Sequence, residues 1–175
     1  MTKNNKGFTL VEIIIVAFLF SIISAAIFSV LATGRNSLSA GESQISVQQA
    51  CRNSLDAMVK ELRQAGALTI SDVPANGANY TAITFQIPVS ISATGPTWSA
   101  NIRYSLGGLN GMQLLRTQSG NQRVMGNNIS SLIFNRNAAN PNLVNIIVTA
   151  QKNTFSGFTA RQSAMTLTSR VKLRN

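Results

Sequence analysis

The chain has 175 residues, 45% of them hydrophobic, and carries fifteen basic against five acidic side chains, a formal net charge of +10. That is apolar enough for a folded core and long enough for one domain beside a membrane segment. It has no histidine and one cysteine, Cys51, which excludes an intrachain disulfide, His-based general bases and Ser/His/Asp or Cys/His nucleophile arrangements, and removes the usual metal ligands.

A short basic leader, Met1 to Lys6, precedes Gly7-Phe8-Thr9-Leu10-Val11-Glu12, and an apolar run continues to Ala32. Glu12 is the one charged side chain between Phe8 and Ala32. A carboxylate in hydrocarbon is costly unless something pairs with it, so Glu12 is a candidate functional residue. About 20 apolar residues cross a bilayer, which makes this run a membrane helix, too long for the apolar part of a secretory signal. Ser24-Ala25-Ala26 falls inside the run, so no small-residue cleavage site ends it. Lys3 and Lys6 put the N-terminus in the cytoplasm by the positive-inside rule, with the C-terminal domain on the other side.

Beyond the polar patch Thr33 to Ser37, where Gly34 can soften the helix, a second helical pattern begins. Cys51, Leu55, Met58, Leu62 and Ala65 recur at spacings of four and three, with Leu38 and Ile45 upstream on a similar stripe. Arg52, Asp56, Lys60 and Arg63 fall on the other side, and Gly66 is the expected C-cap. The first proline is Pro74, so the two patterns join into one helix from about Phe8 to Ala65. Cys51, on the apolar stripe, reads as a buried small hydrophobe and not as a reactive thiol.

From Ser71 to Asn79 the residues are those of a loop, and beyond it the pattern is β. Expected strands run from Tyr80 to Ile87, closed by Pro88, and from Trp98 to Leu106. Gly107 to Gly111 turns the chain into a hairpin with Met112 to Thr117, with no phosphate-loop lysine behind it. Strands follow at Arg123–Met125, Ile129–Arg136 and Leu143–Ala150, with a loop over Asn137–Asn142. Phe155-Ser156-Gly157-Phe158 reads as a loop over the sheet, and the last strand places Met165, Leu167, Val171 and Leu173 on one face. The fold class is therefore α+β: a long N-terminal helix whose amphipathic half covers one face of an antiparallel sheet. The organisation is a leader at 1–7, a membrane half at 8–32, an amphipathic half at 33–66 and a β-rich head at 67–175.

All five acids lie before residue 73, while nine basic residues follow it. The cationic head makes nucleic acid or an anionic surface a candidate partner, through Arg103, Arg116, Arg123, Arg136 and Arg161, with Trp98 and Tyr104 as stacking groups. These residues are dispersed and belong to no nucleic-acid motif, so a solvated basic face is the competing reading. No catalytic set, cofactor motif or metal-ligand cluster stands out, and an enzyme is not expected.

Lys6-Gly7-Phe8-Thr9-Leu10-Val11-Glu12 resembles the class III signal of type IV pilins and type II secretion pseudopilins. The resemblance implies cleavage between Gly7 and Phe8 by a prepilin peptidase, N-methylation of Phe8, and retention of Glu12 for subunit assembly. Arg52 to Gly66 and Ser169 to Asn175 are similar to PilW-type minor pilins and GspJ-type minor pseudopilins. The pilin-like fold is implied, with residence in the bacterial inner membrane and then in a filament. Implied partners are other minor pilins and the major pilin or pseudopilin. Proline is common in the membrane half of pilins; Ser29 stands at about that place here, which implies less of a kink. Major pilins often close a C-terminal loop with a disulfide, and major pseudopilins often bind calcium near the C-terminus. The single cysteine forbids the first and the lack of acids after Asp72 disfavours the second, so the implied role is a minor, priming subunit.

Overall fold

A computed structural model describes residues 8–93, 95–155 and 158–174, with side chains for 8–93, 95–154 and 162–174. Gly7 and the Arg161 side chain lie outside the described residues, as does the Ser156-Gly157 part of the expected loop. The chain divides into two units, Met1–Gly41 and Glu42–Asn175.

In the first unit the only described element is the start of α1, which spans Leu10–Leu62. Its side chains up to Gly41 are exposed almost throughout. This is the one described helix long and apolar enough to cross a membrane. The Ser21 hydroxyl donates to the Phe18 carbonyl at 2.7 Å and Thr33 donates to Ser29 at 3.0 Å. The helix thus satisfies these hydroxyls by itself, as a hydrocarbon environment requires. It runs unbroken through Gly34 and Gly41, each costing about 1 kcal/mol relative to alanine.

In the second unit α1 buries Val47, Cys51, Leu55, Met58 and Leu62, a four-four-three-four stripe, against the β-strands. Leu38 and Ile45, expected on that stripe, are exposed, and Val47 and Ser43 are buried instead. The stripe drifts around a 3.6-residue helix, so extrapolation over several turns points the wrong way.

Ten described strands form two four-stranded antiparallel sheets and a separate hairpin, where one sheet was expected. One sheet has the order β1 (Asn79–Tyr80), β8 (Ile129–Asn137), β9 (Asn140–Phe155), β10 (Phe158–Lys172). The other has the order β2 (Ala82–Phe85), β5 (Ile102–Gly107), β6 (Gln113–Gln118), β7 (Asn121–Asn127). The expected strand Tyr80–Ile87 divides at Thr81: Tyr80 pairs with Phe134, and Ile83 pairs with Tyr104 in the other sheet. Pro88 opens a strand instead of closing one, since β3 (Pro88–Ser92) pairs with β4 (Gly95–Trp98). The expected strand Trp98–Leu106 is accordingly split before Ile102.

The expected loop at Asn137–Asn142 contracts to a turn closed by the Asn137–Asn140 pair, where the Asn137 side chain accepts from Ala139 N–H at 3.0 Å. One core joins the helix stripe to Ile83, Phe85, Ile102 and Tyr104 of one sheet and Leu132, Phe134, Val144, Ile146 and Val148 of the other. On β10, Val171 is buried and Met165 and Leu167 half-buried, with alternate residues exposed, and Leu173 just beyond the strand is buried on the same side of the alternation, so the expected pattern holds.

Gly66 is not a left-handed helix cap. Its backbone is extended (φ −72°, ψ 131°), and it bridges to Arg174. The glycine is required because the Trp98 indole lies where a β-carbon would be.

Candidate functional site

The N-terminal segment is built around Thr9. Its hydroxyl accepts from Glu12 N–H at 3.3 Å, and its carbonyl accepts the first helical bond from Ile13 N–H, also at 3.3 Å. Thr9 is therefore the N-cap of α1 and Glu12 the third helical residue, the Thr-x-x-Glu spacing of a capping box. A carboxylate in the first turn also suits the positive end of the helix dipole. This spacing is visible in the residues themselves, but the lone acid in an apolar run draws attention first and hides it.

Among the described residues the Glu12 carboxylate has no hydrogen-bond or ion-pair partner, and it is exposed. It lies with Phe8, Val16 and Phe20 at intervals of four, lining a shallow apolar groove. One helix face thus presents a single acid among aromatic and aliphatic side chains. Its charge requires a partner from outside the described chain if that face leaves water.

The basic residues of the head behave differently. Arg103 Nη1 lies 3.4 Å from Asp72 Oδ2, which also accepts from the Thr84 hydroxyl at 2.6 Å. Arg116 Nε donates to both Glu61 oxygens at 2.9 and 3.0 Å, and its Nη2 donates to Gln118 Oε1 at 2.8 Å. Glu61 Oε2 also accepts from the Tyr104 hydroxyl at 3.0 Å. Burial pushes the Tyr104 phenol up, the neighbouring Glu61 charge and hydrogen bond push the same way, and Arg116 partly offsets them.

Arg136 is 7% exposed and sits inside the head. Its guanidinium donates to the carbonyls of Pro141 at 2.7 and 2.9 Å, Val73 at 3.0 Å and Ala67 at 3.4 Å. It ties the segment after α1 to the β8–β9 turn, and burial lowers its pKa from the ordinary arginine value. Only Arg123 among the described candidates is exposed with no ion-pair partner. Tyr104 is fully buried and stacks on Phe85 with ring centroids 6.1 Å apart, so it offers no platform for a base. The acids that neutralise Arg103 and Arg116 lie 31 and 55 positions earlier in the chain, a distance that residue-by-residue charge reading does not bridge.

Cys51 is buried, and its thiol lies 3.2 Å from the Met165 carbonyl oxygen. Burial raises its pKa, which keeps it a thiol. No group of three or more acidic, histidine or cysteine side chains able to hold a metal occurs among the described residues.

Residues 2–28 match the family described as the prokaryotic N-terminal methylation motif. No curated protein and no solved structure matches the chain. The matched segment contains Gly7, Phe8 and Glu12, and with the apolar helix behind it marks a type IV pilin-like protein with a class III signal.

Proposed function

We propose that the chain is a minor type IV pilin that acts in the initiation and tip assembly of a pilus filament. A prepilin peptidase cuts between Gly7 and Phe8 and Phe8 is N-methylated. Residues 8–32 hold the subunit in the bacterial inner membrane, with the head in the periplasm, until it enters the filament beside other minor pilins and the major pilin. The observation that carries this reading is the methylation motif combined with Glu12 as the one charge of the apolar helix.

Cleavage on the cytoplasmic side of an apolar run leaves the run attached, so one segment serves first as anchor and then as assembly helix. It also creates a cationic amine on Phe8 beside a low-dielectric environment. An amine and a Glu12 carboxylate from neighbouring subunits relieve one another's desolvation, and their meeting fixes the axial register between helices. The Thr9 cap holds Glu12 at the third position of the helix, which presets where that carboxylate stands.

The test is the intact mass of the membrane-fraction protein after co-expression with a prepilin peptidase. The expected species lacks residues 1–7 and carries one added methyl group; an unprocessed chain refutes the reading. Glu12→Ala is expected to be processed but absent from purified filaments. A deletion strain is expected to lose most surface pili. Normal piliation with a type II secretion defect would instead assign the subunit to a secretion pseudopilus.

A further inference from the structure

The β3–β4 hairpin stands apart from both sheets, since its strands pair only with each other. Ile91 opposes Pro96 on one face, Trp98 lies two residues beyond Pro96 opposite Pro88, and Val89 is the extra residue of a bulge between Pro88 and Ser90. Ser90 opposes Thr97 on the other face. Val89 and Ile91 are open, at 70% and 73% exposure, while Trp98 rests part of its indole on Gly66 and keeps 37% exposed. A two-stranded ribbon with an open apolar face is marginal in water. Leu68, 100% exposed, extends the patch. With Trp98, Gly66, Ala67, Asn142 and Arg174 it lines a predominantly apolar recess of about 300 Å³ at the C-terminal end of α1.

The one charged residue that lines this recess is basic, Arg174. The hairpin from Pro88 to Trp98 contains no charged residue. The two acids at this end of the helix, Glu61 and Asp72, are held by Arg116 and Arg103. Arg174, which lines the recess, and Arg63, three residues before Gly66, are exposed and have no carboxylate within ion-pair distance among the described residues. A second copy of the chain would bring a like-charged rim against this one, which is unfavourable.

We propose that this end of the head docks on an anionic phospholipid surface. The apolar face of the hairpin, Leu68 and Trp98 enter the boundary between headgroups and acyl chains, where an indole is favoured. Arg63 and Arg174 meet the lipid phosphates, and Ser90 and Thr97 stay toward water, the division seen in amphipathic interfacial elements. This inference does not depend on the filament role.

Trp98 is the only tryptophan, so its fluorescence reports on this one place. The full chain, with its apolar helix held in nanodiscs of unbrominated phosphatidylcholine, is mixed with vesicles of chain-brominated phosphatidylglycerol. Trp98 emission is expected to shift to the blue and to be quenched several-fold. Brominated phosphatidylcholine vesicles should leave it unchanged. Arg63→Gln and Arg174→Gln should each weaken the apparent vesicle affinity about fivefold. Ile91→Asp should abolish quenching while leaving the circular dichroism spectrum and thermal midpoint unaltered, because Ile91 lies outside the core. Absence of quenching, equal quenching by both vesicle types, or a blue shift that depends only on protein concentration would overturn the proposal; the last would assign the patch to self-association.

Discussion

The two ends of α1 obey the same helical geometry and meet opposite surroundings. From Leu10 to Gly41 the side chains are open on nearly all sides, the hydroxyls of Ser21 and Thr33 close onto the helix's own carbonyls, and Glu12 has no partner among the described residues. From Glu42 to Leu62 one stripe is sealed into a core by both sheets, and Glu61 is held by Tyr104 and Arg116. The second stretch is stabilised by contacts within the chain, and the first requires lipid or neighbouring helices. The charges therefore differ in setting: Glu12 stands unpaired among apolar side chains, whereas Glu61 is held by partners from the sheet.

Substitutions that break the internal contacts of the head should cost the most. Arg136→Ala strands the carbonyls of Pro141, Val73 and Ala67, and should lower stability by about 3 kcal/mol in denaturant titration of the detergent-solubilised chain. Gly66→Ala drives a methyl group into the Trp98 ring and should cost about 2 kcal/mol, with a change in Trp98 emission as an independent readout.

Tyr104→Phe loses the bond to Glu61 and should cost about 1.5 kcal/mol near neutral pH. Because the folded phenol titrates above its ordinary value of 10.0, the unfolded chain releases that proton first. The contribution is fully present below pH 10 and is lost as pH rises from there through the raised folded value. The phenylalanine variant should lack this alkaline component, measured as the difference between the two stability–pH curves.

Ser54→Ala is expected to act in the other direction. The Ser54 hydroxyl is fully buried, has no hydrogen-bond partner among the described residues and abuts Gly126, so its removal should raise stability by about 1 kcal/mol. The smallest effect belongs to the open stretch of α1. Ile14→Ser lies outside the core and should leave the head's unfolding midpoint in detergent unchanged, within about 0.5 kcal/mol. A large shift there would mean that the apolar stretch contributes to the head's own stability.

The residues alone determined the features that rest on local chemistry. The apolar run, its single acid, the Gly7-Phe8 junction and the helical stripe from Cys51 to Leu62 are properties of neighbours in the chain, and so are the alternation of the last strand and the α+β class. Tertiary structure decided what depends on distant partners. Pairing split Tyr80 from Ile83 between two sheets, because a strand joins whichever edge its backbone bonds meet, and side-chain alternation cannot name that edge. It also turned Arg103 and Arg116 into ion pairs and Arg136 into an internal carbonyl clamp, because the fold brought distant acids and carbonyls to them. And it left Leu68 and Ile91 uncovered, although nothing in their sequence separates them from core residues, because burial is decided by what packs above a side chain and not by the side chain itself.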